Sequence, residues 1–129
     1  MAISTLGSKA IELNDGLDSI VVVNCLGDVV GGRTLDVSGV DSDTTVIRAG
    51  HIIVINDTTK EVSPLGVSDD AYVSLPDGYS YLGVLKASVL VNDPRAAILT
   101  IGQVNAAAGP YTVTEDIING LPRIQFLYV

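Results

Sequence analysis

Between residues 46 and 108 no apolar run exceeds four residues, and Gly, Pro, Asn and Asp recur between the runs. A globular helix needs ten or more residues of 3.6-periodic apolar pattern, whereas four to eight residues bounded by turn formers make a strand. That stretch therefore constrains the chain to serial β-structure. Polar groups able to act on a substrate are scattered among the turns, so the pattern points to packing and self-association rather than catalysis.

At 129 residues the chain fits one domain with a real core. Apolar residues make up 47% and charged ones 17%, with a mean hydropathy of +0.44, greasy for a monomer of average composition. The surplus implies apolar surface that meets another chain. No run approaches the roughly 20 residues of a spanning helix, so no membrane segment or membrane partner is expected. Residues 1–20 lack a basic start and a continuous apolar centre, which leads to the expectation of a chain made and used in a cytoplasm. Fifteen acids against seven bases give a formal charge of -8, without the clustered positive charge that phosphate contacts require; nucleic acid is not an expected partner. Cys25, the one cysteine, allows no intrachain disulfide, and its apolar neighbours place it as a buried small hydrophobe.

Residues 1–19 mix Ile3, Leu6, Ile11 and Leu13 with Gly7, Asn14, Asp15 and Gly16 and read as an N-terminal arm. Residues 20–129 read as a single mainly β domain, a compact sandwich or barrel-like unit with one or two short helices near its C-terminus. Strands are expected at 20–24, 46–48, 51–55, 61–64, 71–74, 79–91, 95–104 and 123–129, with a glycine turn at 28–33 and a polar loop at 36–45. The pair 79–91 and 95–104, joined at Asn92-Asp93-Pro94, is partly apolar on both faces, as in the middle of a sandwich or under a neighbouring subunit. Asn105 can cap 106–108, with Gly109 and Pro110 as the stop. Thr112 or Thr114 can cap a second helix ended by Gly120 and Pro122, and Thr112-Val113-Thr114-Glu115 matches a capping box.

His51 is the single histidine and follows Gly50, with no Gly-x-Ser-x-Gly elbow in the chain; it reads as a structural donor, with a hydrolase triad as the remote alternative. Asp41-Ser42-Asp43 and Asp69-Asp70 lack the twelve-residue loop of a calcium site and read as solvated turn carboxylates. The glycines of GDVVGGR match no phosphate-binding fingerprint. No catalytic residue, cofactor or metal site is assigned. The five tyrosines, Tyr72, Tyr79, Tyr81, Tyr111 and Tyr128, read as half-buried edge or contact residues; a carbohydrate platform built from them would lack Trp.

The segments GGRTLDVSGV (31–40), VIRAGHIIV (46–54), EVSPLGV (61–67), GYSYLGVLKASV (78–89) and DPRAAILTIGQVNAAAGPY (93–111), taken in order, resemble tailed-bacteriophage head fibre proteins. Their order is also similar to that of lambda-type head decoration proteins. The resemblance covers about four fifths of the chain and excludes the first twenty residues. It implies a β-rich homotrimer on the outside of a capsid, assembled in the bacterial host's cytoplasm and bound to the major capsid protein at three-fold or quasi-three-fold sites. The chain has no heptads or repeat for a long fibre, which favours a short knob. On this reading Ile3, Leu6, Ile11 and Leu13 contact the capsid, and Tyr79, Leu82, Ala96, Ala97 and Phe126 lie in the trimer contact. The second reading is an adhesion module whose loops 36–45 and 67–78 bind host or mucosal glycans, with another virion surface protein as a further partner.

Overall fold

The structure is a computed structural model that describes residues 21–29, 32–40 and 42–128. The proposed arm, with Ile3, Leu6, Ile11 and Leu13, lies outside the described residues. The fold is mainly β, with one short α-helix and one 3-10 turn near the C-terminus. The strands are β1 (Val22–Asp28), β2 (Arg33–Thr34), β3 (Val46–Ile47), β4 (Ile52–Asn56), β5 (Val62–Pro64) and β6 (Val67–Ser68). They continue as β7 (Ala71–Tyr72), β8 (Tyr79–Leu85), β9 (Val89–Leu90), β10 (Arg95–Ala96), β11 (Ile98–Asn105) and β12 (Ile124–Leu127). A 3-10 turn (Ala106–Ala108) and helix α1 (Glu115–Gly120) lie between β11 and β12.

The main sheet runs β1-β11-β8-β4-β5, and β12 joins β11 alongside. Among the described residues there are also three two-stranded ribbons, β2 with β10, β3 with β9 and β6 with β7. Successive strand residues point to opposite faces, so adjacent residues feed different cores. Ile52, Val54, Val84, Leu99, Val104 and Ile124 pack on one face beneath Ile117 and Leu121 of the α1 region. Ile53, Val62, Leu85 and Ile98 pack on the other beneath Leu35, Ile47, Val89 and Ala96 from the ribbons. The two-faced apolar pattern of β8 and β11 is thus satisfied within the chain.

β11 and β12 are parallel, with Gly102 opposite Ile124 and Asn105 opposite Leu127. A parallel pair needs a crossover of a dozen or more residues, which the 3-10 turn and α1 supply. Asn105 Oδ1 accepts the Ala107 N–H at 3.2 Å, and Thr114 Oγ1 accepts the Ile117 N–H at 3.4 Å. Thr114 is therefore the cap of α1, and its third helical position is Ile117. The capping box expected from Thr112 does not form, because the helix starts two residues later than that spacing requires.

Two long strands expected from the sequence are each broken. Residues 79–91 divide into β8 and β9 across Lys86, Ala87 and Ser88, and residues 95–104 into β10 and β11 at Ala97. At 86–88 the chain leaves the main sheet for a ribbon, and at Ala97 it passes from a ribbon into the main sheet. The strand expected at 20–24 lies at Val22–Asp28 instead. Cys25 is a correction of a different kind: it is exposed, because β1 is an edge strand whose pairing with β11 shifts register three times.

The β4–β5 hairpin carries a local conflict. Asn56 Oδ1 accepts the N–H groups of Thr58 and Thr59 at 2.9 and 3.0 Å, which folds the loop and leaves Lys60 at φ 63°. A left-handed L-residue is strained, and glycine is not. Lys60→Gly is expected to raise stability by about 0.5–1 kcal/mol in urea unfolding, since the penalty it removes exceeds the entropy glycine adds to the unfolded chain.

Candidate functional site

A cleft of about 340 Å³ opens beside the β3, β5 and β6–β7 segments. That volume is at the small end of ligand pockets. Arg48, His51, Leu65, Asp69, Asp70 and Tyr111 contribute to its wall, from segments far apart in the chain.

Gly50, at φ 92°, turns the chain into β4 and places His51 at the base. A Cβ at Gly50 would meet Val21 Cγ1 at 3.0 Å and the Gly109 Cα at 3.2 Å, so the close approach of three segments requires glycine there. Ser88 Oγ accepts the Ala49 N–H at 3.0 Å and ties the same turn to β9. His51 is buried, and its Nε2–H donates to the Leu65 carbonyl at 2.8 Å. Tyr72 and Tyr111 pack edge-on against its ring at centroid distances of 5.3 and 5.9 Å, and against each other at 5.3 Å. The Tyr72 hydroxyl accepts the Ile52 N–H at 3.2 Å. Burial pushes the Tyr72 hydroxyl up out of the physiological range, and it lowers His51 against the smaller raising effect of the Leu65 carbonyl.

This geometry fixes the ring orientation and makes Nε2 the protonated nitrogen of the neutral imidazole. His51 joins β4, the end of β5 and two tyrosine-bearing segments. Its expected signature is thermodynamic. With the folded-state value below the ordinary 6.5, the unfolded chain binds the extra proton, so stability rises with pH through this window. The contribution is complete above about pH 6.5 and is lost as pH falls towards the folded-state value. His51→Gln, which keeps a donor for Leu65, is expected to flatten the stability slope between pH 5.5 and 7, where one full proton corresponds to about 1.4 kcal/mol per pH unit. Parallel wild-type and variant curves from urea titrations would contradict it.

Asp69 and Asp70 occupy the two-residue turn of the β6–β7 hairpin at φ 53° and 60°, the geometry of a type I′ turn. They are exposed turn carboxylates at the cleft rim. Asp41 lies outside the described residues, and Asp43 is exposed. Among the described residues no group of three or more His, Cys, Asp or Glu is placed to hold a metal ion.

The five residues named for the subunit contact are dispersed. Tyr79 and Phe126 are half-buried against the first core, and Leu82 is half-buried against the second. Ala97 is exposed, but Ala96 is only 4% exposed within the second core and has little surface to offer another copy. The sequence reading passed over Val23 and Leu26, which are 50% and 71% exposed on β1. Their signal in the sequence is the apolar run that opens β1. Of the tyrosines, Tyr72 is buried, Tyr79, Tyr81 and Tyr111 are half-buried, and Tyr128 is exposed. In comparisons with known proteins the chain matches no model of a protein family, no curated protein and no solved structure.

Proposed function

We propose that this chain is a non-enzymatic auxiliary protein of a tailed-bacteriophage head, bound as a homotrimer over three-fold or quasi-three-fold sites of the capsid. The observation that carries the reading is the pairing of a mainly β fold with exposed uncharged apolar surface on an edge strand, in a chain whose serial segments resemble decoration and head fibre proteins. The burial of His51 between Tyr72 and Tyr111 is in keeping with a structural role for the one histidine. The chain would clamp neighbouring capsid subunits and, by binding only the assembled lattice, shift its equilibrium towards the intact shell. Residues 1–18 would supply the capsid contact through Ile3, Leu6, Ile11 and Leu13, ordering on the shell.

Antibody raised against the purified chain, applied to tailed virions from its own source, is expected to label the head. Deletion of residues 1–18 is expected to abolish rebinding to those heads while leaving the number of subunits in the oligomer unchanged. Heads without label, or heads fully decorated by the deleted chain, would refute the respective part of the proposal.

A further inference from the structure

We infer that the cleft beside β3, β5 and the β6–β7 hairpin binds a small neutral saccharide, with His51 as its inner acceptor. His51 is 8% exposed, and its Nε2–H is taken by the Leu65 carbonyl. The other nitrogen of the neutral ring, Nδ1, is an acceptor. It has no hydrogen-bond partner among the described residues, yet it is not sealed from solvent. Buried polar side-chain atoms are ordinarily partnered, so this one stands out. The solvent space that His51 borders is the cleft, and a donor for Nδ1 has to come from there.

Two loops far apart in the chain close around this position. Val40 and Thr44 come from one, and Asp69 and Asp70 from the other. The charges on the wall then select the ligand's chemistry. An anion drawn to Arg48 meets the carboxylates of Asp69 and Asp70, and a cation drawn to those carboxylates meets Arg48. Among the described residues no three metal-ligating side chains are grouped to hold an ion instead. Hydroxyl groups suit every one of these partners, because each both donates and accepts. A ring bearing several can donate to a carboxylate and to Nδ1 and accept from the guanidinium, with no net charge to be opposed. Leu65, Pro110 and Tyr111 supply apolar surface for the C–H faces of such a ring. At about 340 Å³ the cleft suits a small ligand. A more open depression of about 300 Å³ adjoins it, sharing Asp70, Pro110 and Tyr111. Tyr128 lines that depression and is 62% exposed, an aromatic face for a second ring.

The β6–β7 turn allows a variant that spares the fold. Asn-Gly is a preferred pair for a type I′ turn, so Asp69→Asn with Asp70→Gly removes both carboxylates and keeps the hairpin. The full chain and this variant are titrated by amide-resolved NMR with the methyl glycosides of glucose, galactose and N-acetylglucosamine, and with acetate and tetramethylammonium as charged comparators. The expected result is saturable shifts around residues 44–51, 65–70 and 110–112 for at least one glycoside, with a Kd on the order of 1–10 mM. The double variant is expected to bind that glycoside at least about fivefold more weakly. In the wild-type chain the His51 Nδ1 resonance, followed in a long-range nitrogen spectrum, is expected to move along the same saturation curve. That last readout stands even where a variant misfolds. No saturation by any glycoside at about 100 mM, equal binding by the double variant, or an unmoved Nδ1 resonance overturns the inference. Acetate or tetramethylammonium binding more tightly than every glycoside also overturns it, because the cleft is then an ion site.

Discussion

Ile53→Ala is expected to lower the free energy of unfolding by about 3–4 kcal/mol, the range for emptying a fully buried branched site. Ile53 is wholly buried in β4, with β5 on one side and β8 on the other, and it packs in the second core with Val62, Leu85 and Ile98. Main-chain pairing holds the strands on both sides of it, so the surrounding structure has little freedom to collapse into the cavity. A domain of this kind is stable by roughly 5–15 kcal/mol, so this one change removes a large fraction of the total. Ile118→Ala is the internal comparison: Ile118 is 39% exposed on α1, and its truncation is expected to cost about 1 kcal/mol or less. Equal losses from the two variants in urea unfolding would contradict the placement of the second core.

Gly83→Ala is expected to cost about 3 kcal/mol, at the upper end of ordinary overpacking. Gly83 sits in β8 opposite Ile53, beside the point where β8 gains one residue on β4 and Leu82 becomes the extra residue of a bulge. A Cβ there would be driven into the Leu99 carbonyl and would also meet Ile98 Cγ2 at 3.0 Å. Backbone cannot move aside as a flexible side chain can, so β8 and β11 must separate at the two register pairs that join them, Val84 with Leu99 and Leu85 with Ile98. Gly39 is the control. A Cβ there meets nothing within 4 Å, and Gly39→Ala is expected to be neutral or stabilising by up to about 1 kcal/mol. If the two alanine variants melt together, the tight β8–β11 approach is wrong.

Much of the architecture was readable from local pattern. The apolar run at 52–55, the Pro-bearing strand at 61–64 and the alternation at the C-terminus became β4, β5 and β12, because period and turn chemistry act over a few residues. The breaks at 86–88 and at Ala97 were not readable: the apolar pattern continues through them while hydrogen-bonding partners change between the main sheet and a ribbon. Cys25 failed for a related reason. An apolar run signals burial, but the exposure of β1 follows from its place at the sheet edge, which depends on how remote strands pair. The cleft was equally hidden, since Arg48, Asp70 and Tyr111 meet only in three dimensions, although Gly50 before the one histidine was visible from the start. Ala96 and Ala97, adjacent and chemically identical, separate into core and surface because strand neighbours point to opposite faces.

The most direct test of the self-associating capsid protein proposed here is the solution mass of the purified chain by light scattering at low and high salt. The account predicts a stable mass three times that of the 13.4 kDa chain at both salt concentrations, held by apolar contact that salt does not screen. A clean monomer at both would contradict it.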